Sequence, residues 1–464
     1  MSRLTAGVAA LIGLFVVLVA ASDVRSEGVF GVNSLRGRND CPSILGGPIK
    51  LMDLIYRNLC INPKTYRAYA LIRQREEELR LSEAALLPQV DFEWQRKFGR
   101  SSFAEEKVPS ANYVARVNND VKSLALSWLL LDFGKTGSNI DRARELLISE
   151  NFLKDSVSQQ VIFDAAEMYF TLVSAQGGVL AYSDATKNAQ NSVEVAAAKY
   201  NGGVGALADK LQAETAYQQS LLDESKAKLE LEKARDALAI ASDTIGQNIV
   251  ASELELSSPN RRAGEDLMRL LTVSLRDHPE IRAAQSQLAA AEANIKSTIA
   301  EGRPSISLVA TLSNTRINGI PPSDTRSIVR NIGVNIKIPL YEGGARNAEV
   351  GIAKAKRDVA ELDLADTKMK VAVAVLDSQK KLEAMERDIG FSNDLLRIAT
   401  QSFEISRGRY KGGVGTILEL LSAQGALSSA KQIRLQSLTN WNITRIELLM
   451  NIGGLDAVTL TQRP

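Results

Sequence analysis

A chain of 464 residues, 45% of them hydrophobic, can bury a large core, and Lys plus Arg (56) so nearly cancels Asp plus Glu (54) that no global basic field exists to recruit nucleic acid. One histidine and two cysteines leave nothing to spare for a His/Cys metal cluster, and no GxxxxGK loop offers to cradle a phosphate. An enzyme, and a bound cofactor, are therefore not expected.

The amino terminus reads as a targeting segment. Arg3 precedes an apolar run from Ala6 to Ala21, and small residues at Val19-Ala20-Ala21 or Val24-Arg25-Ser26 offer cleavage sites, so residues 1–26 are expected to be a signal peptide. The alternative, an uncleaved anchor, needs roughly 18 to 20 apolar residues, more than the run supplies. The nearest cysteine to this run is Cys41, too far on for lipid attachment. Residues 27–48, rich in Gly and polar residues, are expected to be a flexible lead-in. Cys41 and Cys60 can pair in an oxidising compartment, but spacing alone leaves that open. Beyond Ala21 no apolar stretch reaches the length of a membrane-spanning helix, so any membrane role falls to β-strands.

From Ile49 the spacing of Leu51, Leu54, Ile55 and Leu59 predicts a helix, which Asn62-Pro63 closes while opening a second that runs to Leu87. Pro88 ends it. Alternation follows at once, with Val90, Phe92 and Trp94 on one face and Asp91, Glu93 and Gln95 on the other. After a polar segment containing Pro109 it resumes with Leu124, Leu126, Trp128 and Leu130 against Ser123, Ala125 and Ser127. This is a β-hairpin within residues 88–131. From Lys135 to Tyr200 there is no proline, and one helix on the order of 100 Å long is expected. A shorter helix from about Ala206 to Ala241 completes the unit.

The second half repeats the plan. Leu267-Met268, His278-Pro279 and Pro304 stand 216 residues after Leu51-Met52, Asn62-Pro63 and Pro88. The lone His278 therefore reads as a turn or cap residue. Strands follow at Ile306, Leu308, Ala310 and Leu312 and, after a turn at 318–324, at Ile332, Val334, Ile336 and Ile338 against Gly333, Asn335 and Lys337. Another long helix runs from about Arg346 to Tyr410. Its end, Arg409-Tyr410-Lys411-Gly412-Gly413-Val414-Gly415, echoes Lys199-Tyr200-Asn201-Gly202-Gly203-Val204-Gly205 at an offset of 210. The offset falls inside the second hairpin, where loop tips tolerate deletions. Each echo is a helical hairpin tip whose glycines take conformations that a β-carbon forbids.

The organisation expected is thus a tandem duplication: a first repeat over 49–241, an irregular link over 242–264, a second repeat over 265–454 with its β-hairpin in 304–340, and a tail over 455–464. The fold class is mixed and mainly α. Each repeat supplies an antiparallel pair of rods, with the two short helices stacked end to end along the long one. Four strands cannot close a channel, and open edges cannot sit in lipid, so closure requires several chains. Apolar faces outward and Ser123, Ser127, Asn335 and Lys337 inward would give a lipid-facing wall and a wet lumen, with Trp94, Trp128 and Tyr341 at its margins.

The Asn62-Pro63 and Leu87-Pro88 pairs, the segment Ile338-Pro339-Leu340-Tyr341-Glu342-Gly343-Gly344 with its counterpart Leu131-Asp132-Phe133-Gly134, and the two Tyr-x-Gly-Gly tips resemble the TolC-type outer-membrane efflux proteins over about residues 49–454. The resemblance implies a homotrimer with a twelve-stranded β-barrel in outer-membrane lipid, continued by an α-helical barrel through the periplasm. It implies an exit duct of type I secretion or multidrug efflux, working with a periplasmic adaptor and an inner-membrane ABC or RND-type transporter. A periplasmic coiled-coil adaptor or scaffold without membrane strands is the competing class. At the closed end the resemblance implies that Glu419 is an inward ring acid and that Asp209 and Tyr410 belong to a closing network. Ser422 replaces a second ring acid, and Gly415 stands where an arginine is usual, leaving Arg409 or Lys411 as substitutes. The tip glycines Gly202, Gly203, Gly205, Gly412, Gly413 and Gly415 would meet the adaptor. On the residues alone, Asp209 and Glu419 read equally well as solvated acids at positive helix ends.

Overall fold

A computed structural model divides the chain into two units, Met1–Ser43 and Ile44–Pro464. It describes residues 41, 48–103, 113–244, 250–251, 267–318 and 325–455. The expected signal peptide lies outside the described residues, as does most of the lead-in, the 242–264 link and the 455–464 tail. Of the first unit only Cys41 is described, and neither it nor Cys60 is free.

The second unit is one succession of elements given twice. Helices α1 (Leu51–Ile61) and α2 (Pro63–Ala84), strands β1 (Gln89–Phe103) and β2 (Tyr113–Leu131), and helices α3 (Lys135–Asn201) and α4 (Leu207–Ala241) make the first round. The second is α5 (Leu267–Asp277), α6 (Pro279–Ala300), β3 (Ser305–Asn318), β4 (Thr325–Lys337), α7 (Ala345–Lys411) and α8 (Ile417–Asn451). Helix lengths are the same in both rounds: 11, 22, 67 and 35 residues. A 67-residue helix is about 100 Å long.

Helix starts follow from the X-Pro pairs. Pro63 begins α2, where its missing N–H costs nothing, and the Asn62 side chain accepts from the Lys64 amide at 2.9 Å. At the matching place the buried imidazole of His278 accepts from the Glu280 amide through Nδ1 at 3.3 Å. Burial holds the His278 pKa below its ordinary value of 6.5, with Glu280 acting weakly the other way. Below that ordinary value the unfolded chain binds a proton that the folded chain resists, so the stability is present in full above it and is lost on acidification. Acidifying from pH 7.5 to 5 is therefore expected to lower the thermal midpoint, and His278→Asn, which borrows the other round's cap, should flatten that part of the profile. An unchanged pH profile in the variant would remove His278 from the explanation.

Helix α2 stops at Ala84, short of Leu87, because Pro88 disfavours the α conformation in the residue before it. The Leu86 and Leu87 amides instead donate three residues back, to Glu83 and Ala84, both at 3.0 Å.

The rods assemble as the helix lengths require. Lys64 pairs with Asp164 at 2.9 Å and Arg75 with Glu150 at 3.7 Å, laying α2 antiparallel along the first part of α3. Thr186 donates to the Ser220 carbonyl at 3.2 Å, laying α4 along the rest. In the second round Arg346 reaches Glu301 at 2.9 Å from α7 to α6, and Arg434 donates to Asn393 at 2.8 Å between α8 and α7. The two rounds also interlock: Ser297 of α6 donates to Asn139 of α3 at 2.9 Å, and Lys431 of α8 pairs with Asp184 of α3 at 3.0 Å. Helix α1 packs across α3 and the end of α4. Leu54 and Ile55 are fully buried there with Tyr169, Leu172 and Leu238, and burying each aliphatic side chain stabilises by about 1.5–3 kcal/mol.

The strands form one antiparallel sheet in the order β1-β2-β3-β4. Register sorts its faces. Val90, Leu126, Ala310 and Ile332 share one row, and Phe92, Leu124, Leu312 and Arg330 the next on the same face. The other face carries Asp91, Ala125, Thr311 and Asn331, then Glu93, Ser123, Ser313 and Val329. A bulge between Leu129 and Leu131 shifts β2 by one residue at the helical end. Pairing runs beyond the apolar alternation that first located the strands, because backbone hydrogen bonds continue through polar residues. The turn into each long helix uses two successive left-handed residues, Gly343 and Gly344 before α7 but Phe133 (φ +53°) and Gly134 before α3. The Asp132 carboxylate supports the second case, accepting from the amides of Gly134 at 3.1 Å and Thr136 at 2.7 Å.

Candidate functional site

The two hairpin tips close in the same way. Gly203 (φ +71°) and Gly413 (φ +79°) take the left-handed conformation, letting the Val204 and Val414 amides donate back to the Lys199 and Arg409 carbonyls at 3.0 and 3.1 Å. Gly202 and Gly412 end the long helices. A β-carbon on Gly205 would stand 2.9 Å from Lys199 Cβ, and one on Gly415 would stand 3.0 Å from Arg409 Cβ. These glycines are where the chain passes against its own incoming helix. Val204 and Val414 are left 82% and 73% exposed at the apices, apolar side chains that the glycine pattern had obscured.

Tyr410 does not face water. It lies 2% exposed among Ala196 of α3, Ala213 of α4, Phe403 of α7, and Ile417 and Leu420 of α8. Among the described residues its hydroxyl is buried without a hydrogen-bond partner, and burial, followed by the nearby Asp209 carboxylate, raises its pKa. Lys199 of the first tip covers the ring, its Nζ 4.1 Å from the centroid, and donates to the Tyr410 carbonyl. The structure therefore brings Asp209 and Tyr410 together and adds Lys199, which sequence reasoning did not select. Its equivalence to Arg409 across the two tips was the available signal.

Glu419 has a different setting. It occupies the first turn of α8, where its amide donates to Thr416 Oγ1 at 3.2 Å, and its carboxylate lies 3.7 Å from Arg409 Nε, each side chain about half exposed. Ser422, one turn on, is exposed on the side of α8 away from Ile417, Leu420 and Ala423. Arg409 is thus the cation that meets the ring-acid candidate.

A sheet of four strands with two open edges, its faces sorted into apolar and polar, carried on interlocked rods of about 100 Å, defines the class of outer-membrane channels with a long periplasmic helical part. The model of the outer membrane efflux protein family matches residues 54–242 and 270–454, and the chain belongs to that family. Protein CyaE of Bordetella pertussis is 26% identical over 424 residues, covering 90% of this chain and 86% of that one. The pyoverdine export outer membrane protein OpmQ of Pseudomonas aeruginosa is 24% identical, covering 86% and 85%. Among solved structures, that of CusC, a protein that forms a transmembrane channel, superposes with a TM-score of 0.74 at 21% identity over 87% of this chain and 92% of its own. The protein is an exit duct of the outer membrane, and a coiled-coil adaptor without membrane strands is not favoured.

Proposed function

We propose that three chains close into the working duct, β4 of one pairing with β1 of the next to give a twelve-stranded barrel. The observation that carries this reading is the sheet order, which leaves β1 and β4 as unpaired edges on a chain of the outer membrane. The apolar face then meets lipid and the polar face lines a wet lumen. Its apolar rows run from Ile306 and Ile336 out to Trp94 and Ile328, about 26 Å along the strand, close to the roughly 25 Å lipid-facing band of such barrels. Trp128 lies toward one margin, its indole donating to the Leu86 carbonyl at 2.9 Å, and Trp94 lies at the other. Along the rods, α7 leaves Phe391, Leu395, Ile398 and Ile405 exposed at heptad-like spacing, an apolar seam suited to a neighbouring chain.

At the far end the tips form the entrance. Val204, Val414 and the six tip glycines meet a periplasmic adaptor, and an inner-membrane transporter of the ABC or RND type supplies energy and selects the cargo. Glu419 from each chain lines the constriction, while Lys199, Asp209 and Tyr410 hold the two tips together. Relatives named for pyoverdine export and toluene efflux support small molecules as the favoured cargo class. The test is assembly. Extracted without boiling, the protein is expected to fractionate with outer membranes, migrate as a heat-labile trimer and conduct in planar bilayers. A stable monomer, or recovery in the soluble periplasm, would overturn the proposal.

A further inference from the structure

The apolar face of the sheet changes chemistry abruptly at the end farthest from the helices. Past the row of Trp94, Lys122, Asn314 and Ile328, the next row on that face is Arg96, Asp120, Arg316 and Arg326, neighbours across all four strands. Farther out Arg100 faces Arg116, and Arg330 lies one row inside the edge of the apolar band, beside Leu312. Over this span the face holds six arginines and Lys122 against one acid, while the opposite face holds one cation, Lys97, and one acid, Glu93. The six arginines are exposed, and among the described residues none is ion-paired. Asp120 accepts instead from Trp94 Nε1 at 3.0 Å, and Lys122 and Arg96 lie over the rings of Trp94 and Phe98 at 5.3 and 5.0 Å.

A solvated strand end has no reason to sort its cations onto one face. A surplus of guanidinium groups just above an apolar band fits an amphipathic anion, one whose acyl chains lie along the band and whose phosphates sit at its edge. Guanidinium binds phosphate through paired hydrogen bonds, and long basic side chains at a band margin reach outward to do so. We propose that Arg96, Arg316 and Arg326, with Arg330 and Lys122 below them, form an outward-facing belt for a phosphorylated glycolipid of the outer leaflet. The belt rests on the lipid-facing reading of this face, and its ligand is lipid-borne phosphate.

The experiment titrates delipidated trimer in mild detergent with lipid A bearing two phosphates and with the same lipid stripped of phosphate, read by native mass spectrometry. The phosphorylated lipid is expected to bind at least about tenfold more tightly, the scale of one or more charge-assisted hydrogen bonds, and to be released as salt is raised. Combined R96Q, R316Q and R326Q substitution should erase the difference between the lipids, and Lys97→Gln should leave it intact. Equal binding of the two lipids by the unaltered protein, a measurement that needs no variant to assemble, overturns the belt, as does unaltered preference in the triple variant. Displacement of the lipid by equimolar inorganic phosphate would assign the site to a free anion and likewise overturn it. Loss of preference in Lys97→Gln alone would overturn the face assignment as well, whereas failure of the belt while Ile332→Arg still weakens assembly would leave the lipid-facing reading standing.

Discussion

Replacing Ile332 by Arg is expected to destabilise the assembled barrel severely, while Asn331→Arg or Asn335→Arg leaves it nearly intact. Ile332 shares its row with Val90, Leu126 and Ala310, near the middle of the apolar band, and Asn331 and Asn335 belong to the other face. An arginine facing lipid at mid-depth costs about 2–4 kcal/mol, and a trimer would carry three of them. Ile336 lies at the helical end of the same band, where the cost falls to about 0–1 kcal/mol because the side chain reaches the interface. The expected order of trimer heat resistance is therefore Ile332→Arg lowest, Ile336→Arg intermediate, and Asn335→Arg close to the unaltered protein. Equal losses at Ile332 and Asn335 would show that both faces see the same medium and that the sheet is not a membrane wall.

Much of this architecture was readable because its constraints are local. The long helices were expected at Lys135–Tyr200 and Arg346–Tyr410 and extend over Lys135–Asn201 and Ala345–Lys411, since proline-free runs ending in Gly-Gly fix both limits. Pro88 and Pro304 located the starts of β1 and β3 for the same reason. What periodicity could not show was long-range. Nothing in the spacing says that α3 packs against α6 and α8 as well as its own partners, because the small residues that permit this, such as Ala165, Ala189 and Ala196, are equally good helix formers on a solvated face. The shift at Leu129–Leu131 was also hidden, since a bulge changes the register without disturbing composition. At the tips the glycines were found from their backbone demands, but the clasp of Lys199 on Tyr410 joins residues 211 apart in the chain and needed coordinates.

The entrance provides the second large effect, and the structure gives it a sign that separates two residues. If Glu419 of each chain faces the constriction, three carboxylates share it, and removing them with Glu419→Gln should lower cation selectivity. A unit charge at about 4 Å in water contributes about 1 kcal/mol, so the local cation excess should fall roughly fivefold at low ionic strength. Arg409 Nε stands 3.7 Å from the Glu419 carboxylate and offsets part of its field. Arg409→Gln should therefore move selectivity the opposite way, strengthening cation preference and block by multivalent cations, and Ser422→Asp, adding an acid one turn on, should do the same. All three effects should shrink as salt rises, because the screening length is about 10 Å at 0.1 M. Single-channel reversal potentials in asymmetric salt read these changes directly. Were Glu419→Gln and Arg409→Gln both silent at low salt, Glu419 would be only a helix-start acid held by its neighbour, and the constriction would lie elsewhere along the duct.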